Sequence, residues 1–280
     1  MTPTGNLQVA TPHRTSLELT GADGGRLRVD VRRTPGTASR PAVVICHGFK
    51  GFKDWGFFPV LAERLARAGV VAVSFNYSGS GVVGERFSEP DRFGQATFSG
   101  DLTDMETVWR AVQDGTLGPP PPPGATGLFG HSRGGGMAVL FAARQPVGAL
   151  VTWNAIGNVN RWGEATLRKW RADGYLMVKN APTGEELPLT TRVLDDITAH
   201  RERLDIPAAA TRVTAPWLRV QGGADIVVRP DEWQGPAGEL LLIERGTHTF
   251  GARHPWAGTT AELDLAMDRT VDWFLRNLET

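Results

Sequence analysis

Leu128-Phe129-Gly130-His131-Ser132-Arg133-Gly134-Gly135-Gly136 joins an apolar run that starts at Thr126 to a stretch of helical spacing from Gly134 to Arg144. Gly130, Ser132 and Gly134 together form G-x-S-x-G at the junction. A strand that turns abruptly into a helix holds its central residue in strained backbone. Only small residues two positions to either side let the two elements approach. Ser132 is therefore expected at a sharp elbow, its hydroxyl above the strand ends and at a helix N-terminus, which is the setting a nucleophilic serine needs. Taken alone the pattern is weak, because the chain has 34 glycines; its strand-to-helix context gives it weight.

Outward from the elbow, Ala42 to Cys46, Val70 to Phe75, Thr126 to Phe129 and Val147 to Val151 are continuous rather than alternating apolar runs. Such runs suit strands covered on both faces. Helical patterns at Phe57 to Ala68, Phe98 to Gln113 and Gly134 to Arg144 lie between them, so strand and helix alternate. The expected class is α/β, with a mostly parallel, doubly wound sheet and right-handed crossovers. Before it, Ser16 to Thr20 and Arg26 to Arg32 alternate around Gly21, Gly24 and Gly25 and read as an antiparallel hairpin of half-buried edge strands. After Val151 the pattern lapses and resumes at Ala215 to Val220, Leu240 to Ile243 and a closing helix from about Thr260 to Leu278. The expected organisation is a core of residues 1–153 and 207–280 interrupted by a helical insertion at 154–206, of the kind that forms a lid. Within that insertion Val159 to Trp170 and Arg192 to Leu204 look helical. Pro119 to Pro123 reads as a stiff surface connection rather than a domain linker.

A serine hydroxyl is a poor nucleophile at neutral pH and needs a base, and the base needs an orienting acid. Of six histidines, His248 follows the strand Leu240 to Ile243, on a loop at a C-terminal strand edge where open α/β sheets bind ligands. It is the expected base. His47 and His131 flank the site in support; His13 sits in the leader, His200 in the insertion, and His254 reads as surface. Asp225, after the strand ending at Val220, is the expected acid, with Asp231 and then Asp205 as alternatives. The oxyanion donors are expected to be the backbone N–H groups of Arg133 and of Phe49, the latter in His47-Gly48-Phe49-Lys50-Gly51, with Lys50 a weaker candidate. Cys46, the single cysteine, ends a buried strand and reads as a small hydrophobe.

The chain has 280 residues, 30 Lys+Arg against 30 Asp+Glu, and 41% apolar content. A net charge of zero without a basic block leaves no footprint for nucleic acid and no polybasic membrane segment. One cysteine excludes an internal disulfide framework and a multi-cysteine zinc site. No metal and no cofactor is expected. Neither a signal-type leader nor a run of about 18 apolar residues occurs, which points to the cytoplasm and away from a membrane span. The sequence sets no oligomeric state.

From Ala42 onward these motifs, in this order and spacing, resemble the α/β-hydrolase superfamily, in particular its dienelactone-hydrolase-like and cinnamoyl-esterase-like members with an HGF loop. The order Ser132, Asp225, His248 is the one that superfamily shows. The resemblance implies an eight-stranded sheet, a Ser-Asp-His triad, a cap between the sixth and seventh core strands, and hydrolysis of a small-molecule carboxylic ester. Dienelactone hydrolases proper carry a cysteine nucleophile where this chain has Ser132. A peptidase or acyl-aminoacyl hydrolase using the same residues, acyl transfer or perhydrolysis from the same intermediate, and a silent binding protein on the same scaffold are the competing readings. Trp55, Trp153, Trp162 and Phe250, with Phe49 and Trp170, are candidate pocket aromatics. Arg161, Arg168, Lys169 and Arg171 read either as a lure for an acidic substrate group or as a solvated helix face.

Overall fold

The structure, a computed structural model, describes residues 11–36, 38–180, 184–233 and 238–278. Strands β1 (His13–Thr20), β2 (Arg26–Arg33), β3 (Ala42–Cys46), β4 (Val71–Asn76), β5 (Thr126–His131) and β6 (Ala149–Trp153) precede an insertion, and β9 (Trp217–Gly222) and β10 (Glu239–Ile243) follow it. They form one eight-stranded sheet in the order β1-β2-β4-β3-β5-β6-β9-β10. The pairs β1/β2 and β2/β4 are antiparallel and the rest parallel. Only β1 of the hairpin is an edge strand. β2 is paired on both sides and mostly buried, and β1 is exposed except for the partly buried Leu17 and Leu19, so of the two half-buried edge strands expected only the edge position of β1 holds.

The continuous apolar runs are explained by cover on both faces. Along β3, Val43 and Ile45 pack with helices α1 (Phe58–Arg67) and α8 (Ala261–Asn277), whereas Ala42, Val44 and Cys46 face α3 (Phe98–Gln113) and α4 (Arg133–Ala142). Local chemistry starts the long helices where they start. Thr97 and Thr260 accept the N–H of Gly100 and Leu263 at 3.0 and 3.1 Å, satisfying donors that the first turns of α3 and α8 would leave open.

Between β6 and β9 lie α5 (Glu164–Asp173), a two-stranded antiparallel hairpin of β7 (Tyr175–Lys179) and β8 (Glu186–Thr190), α6 (Arg192–Ala199) and α7 (Ile206–Ala210). The hairpin is an addition to the helices read from the sequence. Trp170 of α5 is fully buried beneath it and donates its indole N–H to the Leu189 carbonyl at 2.8 Å. Leu187, Leu189, Val193 and Leu194 join the same apolar cluster, which is continuous with the α3/α4 side of the main core. The proline-rich stretch connects α3 to β5, as expected. No helix among the described residues is long and apolar enough to cross a membrane.

The register aligns the strand ends. Cys46 pairs with Gly130, Gly130 with Thr152, Trp153 with Val220, and Gly222 with Ile243. The loops after β3, β5, β6, β9 and β10 therefore open along one edge, where a doubly wound sheet leaves its ligand crevice.

Candidate active site

Ser132 occupies the turn from β5 into α4 with φ 56° and ψ −119°, a left-handed conformation that costs a side-chain-bearing residue strain. A Cβ on Gly130 would lie 2.3 Å from the Gly134 carbonyl oxygen, and one on Gly134 would lie 2.4 Å from that of His47. Both flanking glycines are thus required by backbone contact. Ser132 sits at the N-terminus of α4, where the helix presents unpaired N–H groups.

The three residues singled out from separate strand ends meet. Ser132 Oγ lies 3.0 Å from His248 Nε2, and His248 Nδ1 lies 2.7 Å from Asp225 Oδ2. The other Asp225 oxygen accepts the backbone N–H groups of Val227 and Val228 at 2.7 and 3.0 Å. Burial alone would raise the Asp225 pKa, but the hydrogen bond and charge of His248 and the two N–H donors outweigh it and hold the carboxyl below its usual value. Asp225 therefore stays anionic, faces Nδ1, and leaves Nε2 toward the serine. The alternative acids are elsewhere: Asp231 pairs with exposed Arg229, and Asp205 caps α7 through the Ala208 N–H.

His47 and His131 hold the surrounding loops in neutral form. His131 Nε2 donates to the His248 carbonyl at 2.8 Å, and burial with the nearby His248 charge pulls its pKa down to about 3. His47 Nδ1 bonds the Gly48 carbonyl at 2.8 Å, its Nε2 lies 3.4 Å from the Tyr77 N–H, and burial pulls its pKa down to about 4. His200 is exposed beside Asp196. His254 is half-buried rather than freely exposed: it stacks on Trp55, abuts Phe52 edge-on, accepts the Gly56 N–H at 3.3 Å and turns Nε2 toward exposed Glu85. Its place after the β10 loop folds it back over the start of α1. His13 opens β1. Burial pushes the Cys46 thiol up to about 12.

The loop after β3 packs directly on the elbow, since a Cβ on Gly48 would touch Ser132 Cβ at 3.0 Å. Among the described residues neither the Phe49 nor the Arg133 backbone N–H donates to a protein acceptor. Both residues line a cavity of about 340 Å³ with Ser132, His248, Lys50, Phe98, Ile156, Val159, Arg161, Trp162, Val227 and Val228. Among the described residues no group of three or more His, Cys, Asp or Glu is placed to hold a metal ion.

Of the pocket aromatics, Trp162 and Phe49 line the cavity and the others do not. Trp153 has the strand parity of Ala149 and Val151, which points it at α8, where its indole donates to Thr270 and its ring packs on Phe57 and Phe250. Phe250 is buried beside it, and Trp55 stacks on His254. Trp170 serves the insertion core. Of the four insertion cations singled out in the sequence, Arg161 lines the cavity, whereas Arg168, Lys169 and Arg171 are exposed and paired with Glu164, Asp173 and Asp195.

Two residues matter here that sequence reading passed over. Asn154, at φ 44° immediately after β6, donates to the carbonyls of His248 (2.8 Å) and Thr247 (3.3 Å) and accepts from the Gly222 N–H at 2.7 Å. It ties the two loops that carry Asp225 and His248. Asn is among the few side-chain-bearing residues that tolerate positive φ, and its position directly after a core strand is the available signal. Asp101 of α3, buried, accepts from Arg133 Nε at 2.7 Å, and the guanidinium lies 4.0 Å over the Phe98 ring.

A family model described as serine aminopeptidase, S33, matches residues 37–173. No curated protein matches the chain. Among solved structures, Est1E from Butyrivibrio proteoclasticus with ferulic acid bound is similar at TM-score 0.68 and 18% identity over 94% of this chain and 99% of that one. A dienelactone hydrolase from Anabaena variabilis is similar at 0.60 and 18% over 96% and 100%. A puromycin-hydrolyzing peptidase from Mycobacterium tuberculosis is similar at 0.61 and 17%, over 95% of this chain and 39% of that one. With its mixed eight-stranded sheet, antiparallel leading hairpin and flanking helices, the chain is an α/β hydrolase in fold.

Proposed function

We propose that this chain is a serine hydrolase that cleaves carboxylic esters of small to medium size through an acyl-enzyme on Ser132. The observation that carries the reading is the unbroken line Ser132 Oγ, His248, Asp225, lying beside two unengaged backbone N–H groups at the end of an apolar cavity. In this mechanism His248 Nε2 takes the Ser132 proton as Oγ bonds to the ester carbonyl carbon. The N–H groups of Phe49 and Arg133 stabilise the oxyanion, and Asp225 stabilises the imidazolium. The tetrahedral adduct collapses, the C–O bond to the alcohol breaks, and His248 returns its proton to the leaving oxygen. A water deprotonated by His248 then attacks the acyl carbon and releases the acid and the free serine. We assign residues 154–206 the role of a cap, because Ile156, Val159, Arg161 and Trp162 form one wall of the cavity.

A fluorophosphonate label with peptide mapping, run beside p-nitrophenyl esters of rising acyl length, tests the assignment. Labelling at Ser132 that depends on His248 is expected, and Ser132→Ala should lose at least about 10³ of the turnover. Undiminished turnover in that variant would overturn it. The aminopeptidase description of the matching family and the peptidase among the similar structures favour one second reading, an amide or peptide substrate on the same serine. A matched ester and anilide pair separates the two by which is turned over faster relative to its uncatalysed rate.

A further inference from the structure

We propose that the ester this site accepts carries a carboxylate at the end remote from the scissile bond, held by Lys50, Arg133 and Arg161. The inference rests on the ester-hydrolase reading of the same cavity and names its substrate class.

Among the described residues lining the cavity there are three cations, Lys50, Arg133 and Arg161, and no carboxylate. Asp101 accepts from Arg133 through Nε alone, whereas Arg161 is engaged by the Glu232 carboxylate and, through Nη2, by the Val227 carbonyl at 2.6 Å. The remainder of the lining is largely apolar, with Phe49, Phe98, Ile156, Val159 and Trp162. Charges in such surroundings are expensive unless paired.

Two of the three are incompletely paired. The Arg133 side chain is about nine-tenths buried, yet Asp101 takes only Nε, and Nη2 has no hydrogen-bond partner among the described residues. A buried guanidinium normally meets a carboxylate with two parallel bonds; here one donor of that fork is idle, and the Phe98 ring 4.0 Å below fixes its plane. Lys50, at φ 56° in the loop after β3, forms no ion pair among the described residues. Its ammonium donates to the neutral Lys179 carbonyl of β7 at 2.8 Å and lies 5.9 Å from the Phe49 ring centroid, and burial lowers its pKa. A cavity wall with one unpartnered buried guanidinium donor and an ammonium bonded only to a neutral carbonyl favours a ligand that brings negative charge. The N-terminus of α4 adds potential of the same sign. An apolar cavity of about 340 Å³ with cations in its wall suits a carboxylate on a short hydrocarbon stem.

The test compares mono-p-nitrophenyl adipate with its methyl-capped neutral counterpart for a charge on the acyl side, and 4-acetoxybenzoate with its methyl ester for a charge on the alcohol side. In wild type one charged member should exceed its neutral partner by about 10- to 100-fold in kcat/KM, the range of one or two charge-assisted contacts. That ratio should fall with added salt, collapse toward unity in Lys50→Met, and recover in Lys50→Arg. Calorimetric binding of adipate and 4-acetoxybenzoate to Ser132→Ala, with and without Lys50→Met, reads the same preference without turnover. Ser132-dependent cleavage of neutral esters with no charged preference on either side would overturn this inference and leave the hydrolase reading standing. Absence of Ser132-dependent cleavage would overturn the hydrolase reading instead. If neither anion then binds Ser132→Ala, the substrate class falls with it.

Discussion

Asn154 is the most exacting point of the site, because one side chain spans the loops after β9 and β10. In Asn154→Ala the Gly222 N–H loses its acceptor while remaining buried, at about 1–3 kcal/mol. The His248 carbonyl keeps its bond from His131, so losing Nδ2 costs less, about 1 kcal/mol or under. Alanine at φ 44° adds about 1–2 kcal/mol of left-handed strain. The expected loss is about 4 kcal/mol, a large share of the roughly 5–15 kcal/mol that holds a domain folded. Asn154→Gly removes the strain but not the lost bonds and should be less damaging by about 1 kcal/mol, once the entropy of glycine is set against it. Asn154→Asp keeps an acceptor for Gly222 but turns a carboxylate oxygen toward two carbonyls, so it should recover stability as acid protonates it. Urea unfolding measures all three, and kcat on a p-nitrophenyl ester reports whether the His248 loop has shifted. If alanine and glycine were equal and both within about 0.5 kcal/mol of wild type, the tying role would be wrong.

Asp225→Asn should leave the fold intact and lower kcat by about 10³ to 10⁴, since an amide no longer holds Nδ1 protonated; a loss confined to KM would contradict the orienting role. The buried imidazoles make stability depend on acid: their folded pKa values, about 4 for His47 and about 3 for His131, lie below the ordinary 6.5. The unfolded chain therefore binds more protons, and their contribution, complete above about pH 6.5, is lost as pH falls toward those folded values. Replacing His131 with glutamine should flatten the urea midpoint against pH in that window, and an unchanged slope would count against its neutrality. Asp101 runs the other way. Burial raises its pKa to about 7 despite Arg133, so from about pH 4 to 7 its contribution falls as pH rises, and Asp101→Asn should make the net acid sensitivity steeper. Native Cys46, pushed to about 12, should resist iodoacetamide at pH 8 and react only after unfolding.

The parallel strands were legible because cover on both faces erases alternation, and the elbow was legible because only glycine fits 2.3–2.4 Å from a carbonyl oxygen. With Ser132 marked by the elbow, Asp225 and His248 were read from their places after later core strands, whose aligned C-terminal ends bring the three together. What failed was facing. An aromatic near the site is a pocket residue only if strand parity points it there, and Trp153 shares the parity of Val151 rather than Thr152. That parity was available in the sequence. The β7/β8 hairpin is harder to see, since its alternation lasts five residues per strand and its inner face is covered by Trp170, from a helix of the same insertion. Side-chain contacts such as Asp101 with Arg133 join residues 32 apart and leave no local trace.

Three histidines converge at these strand ends, yet the arrangement leaves only one suited to carry a proton. The His131 and His248 rings lie 4.8 Å apart. Were His131 charged, an imidazolium forming at His248 would meet a like charge, at about 3 kcal/mol for this separation in surroundings of effective dielectric about 20. That is roughly two orders of magnitude in rate. Burial keeps His131 neutral and its Nε2 proton is committed to the His248 carbonyl, so the same ring that would oppose the charge instead fixes the loop on which it forms. His47 is neutralised likewise and spent on Gly48 and Tyr77. Among the described residues Asp225 is then the one ionised group hydrogen-bonded to the His248 ring. Selection of the base thus depends as much on how its neighbours are buried as on its own partner, and a polar substitution that admits water around His131 should slow turnover without touching serine, base or acid.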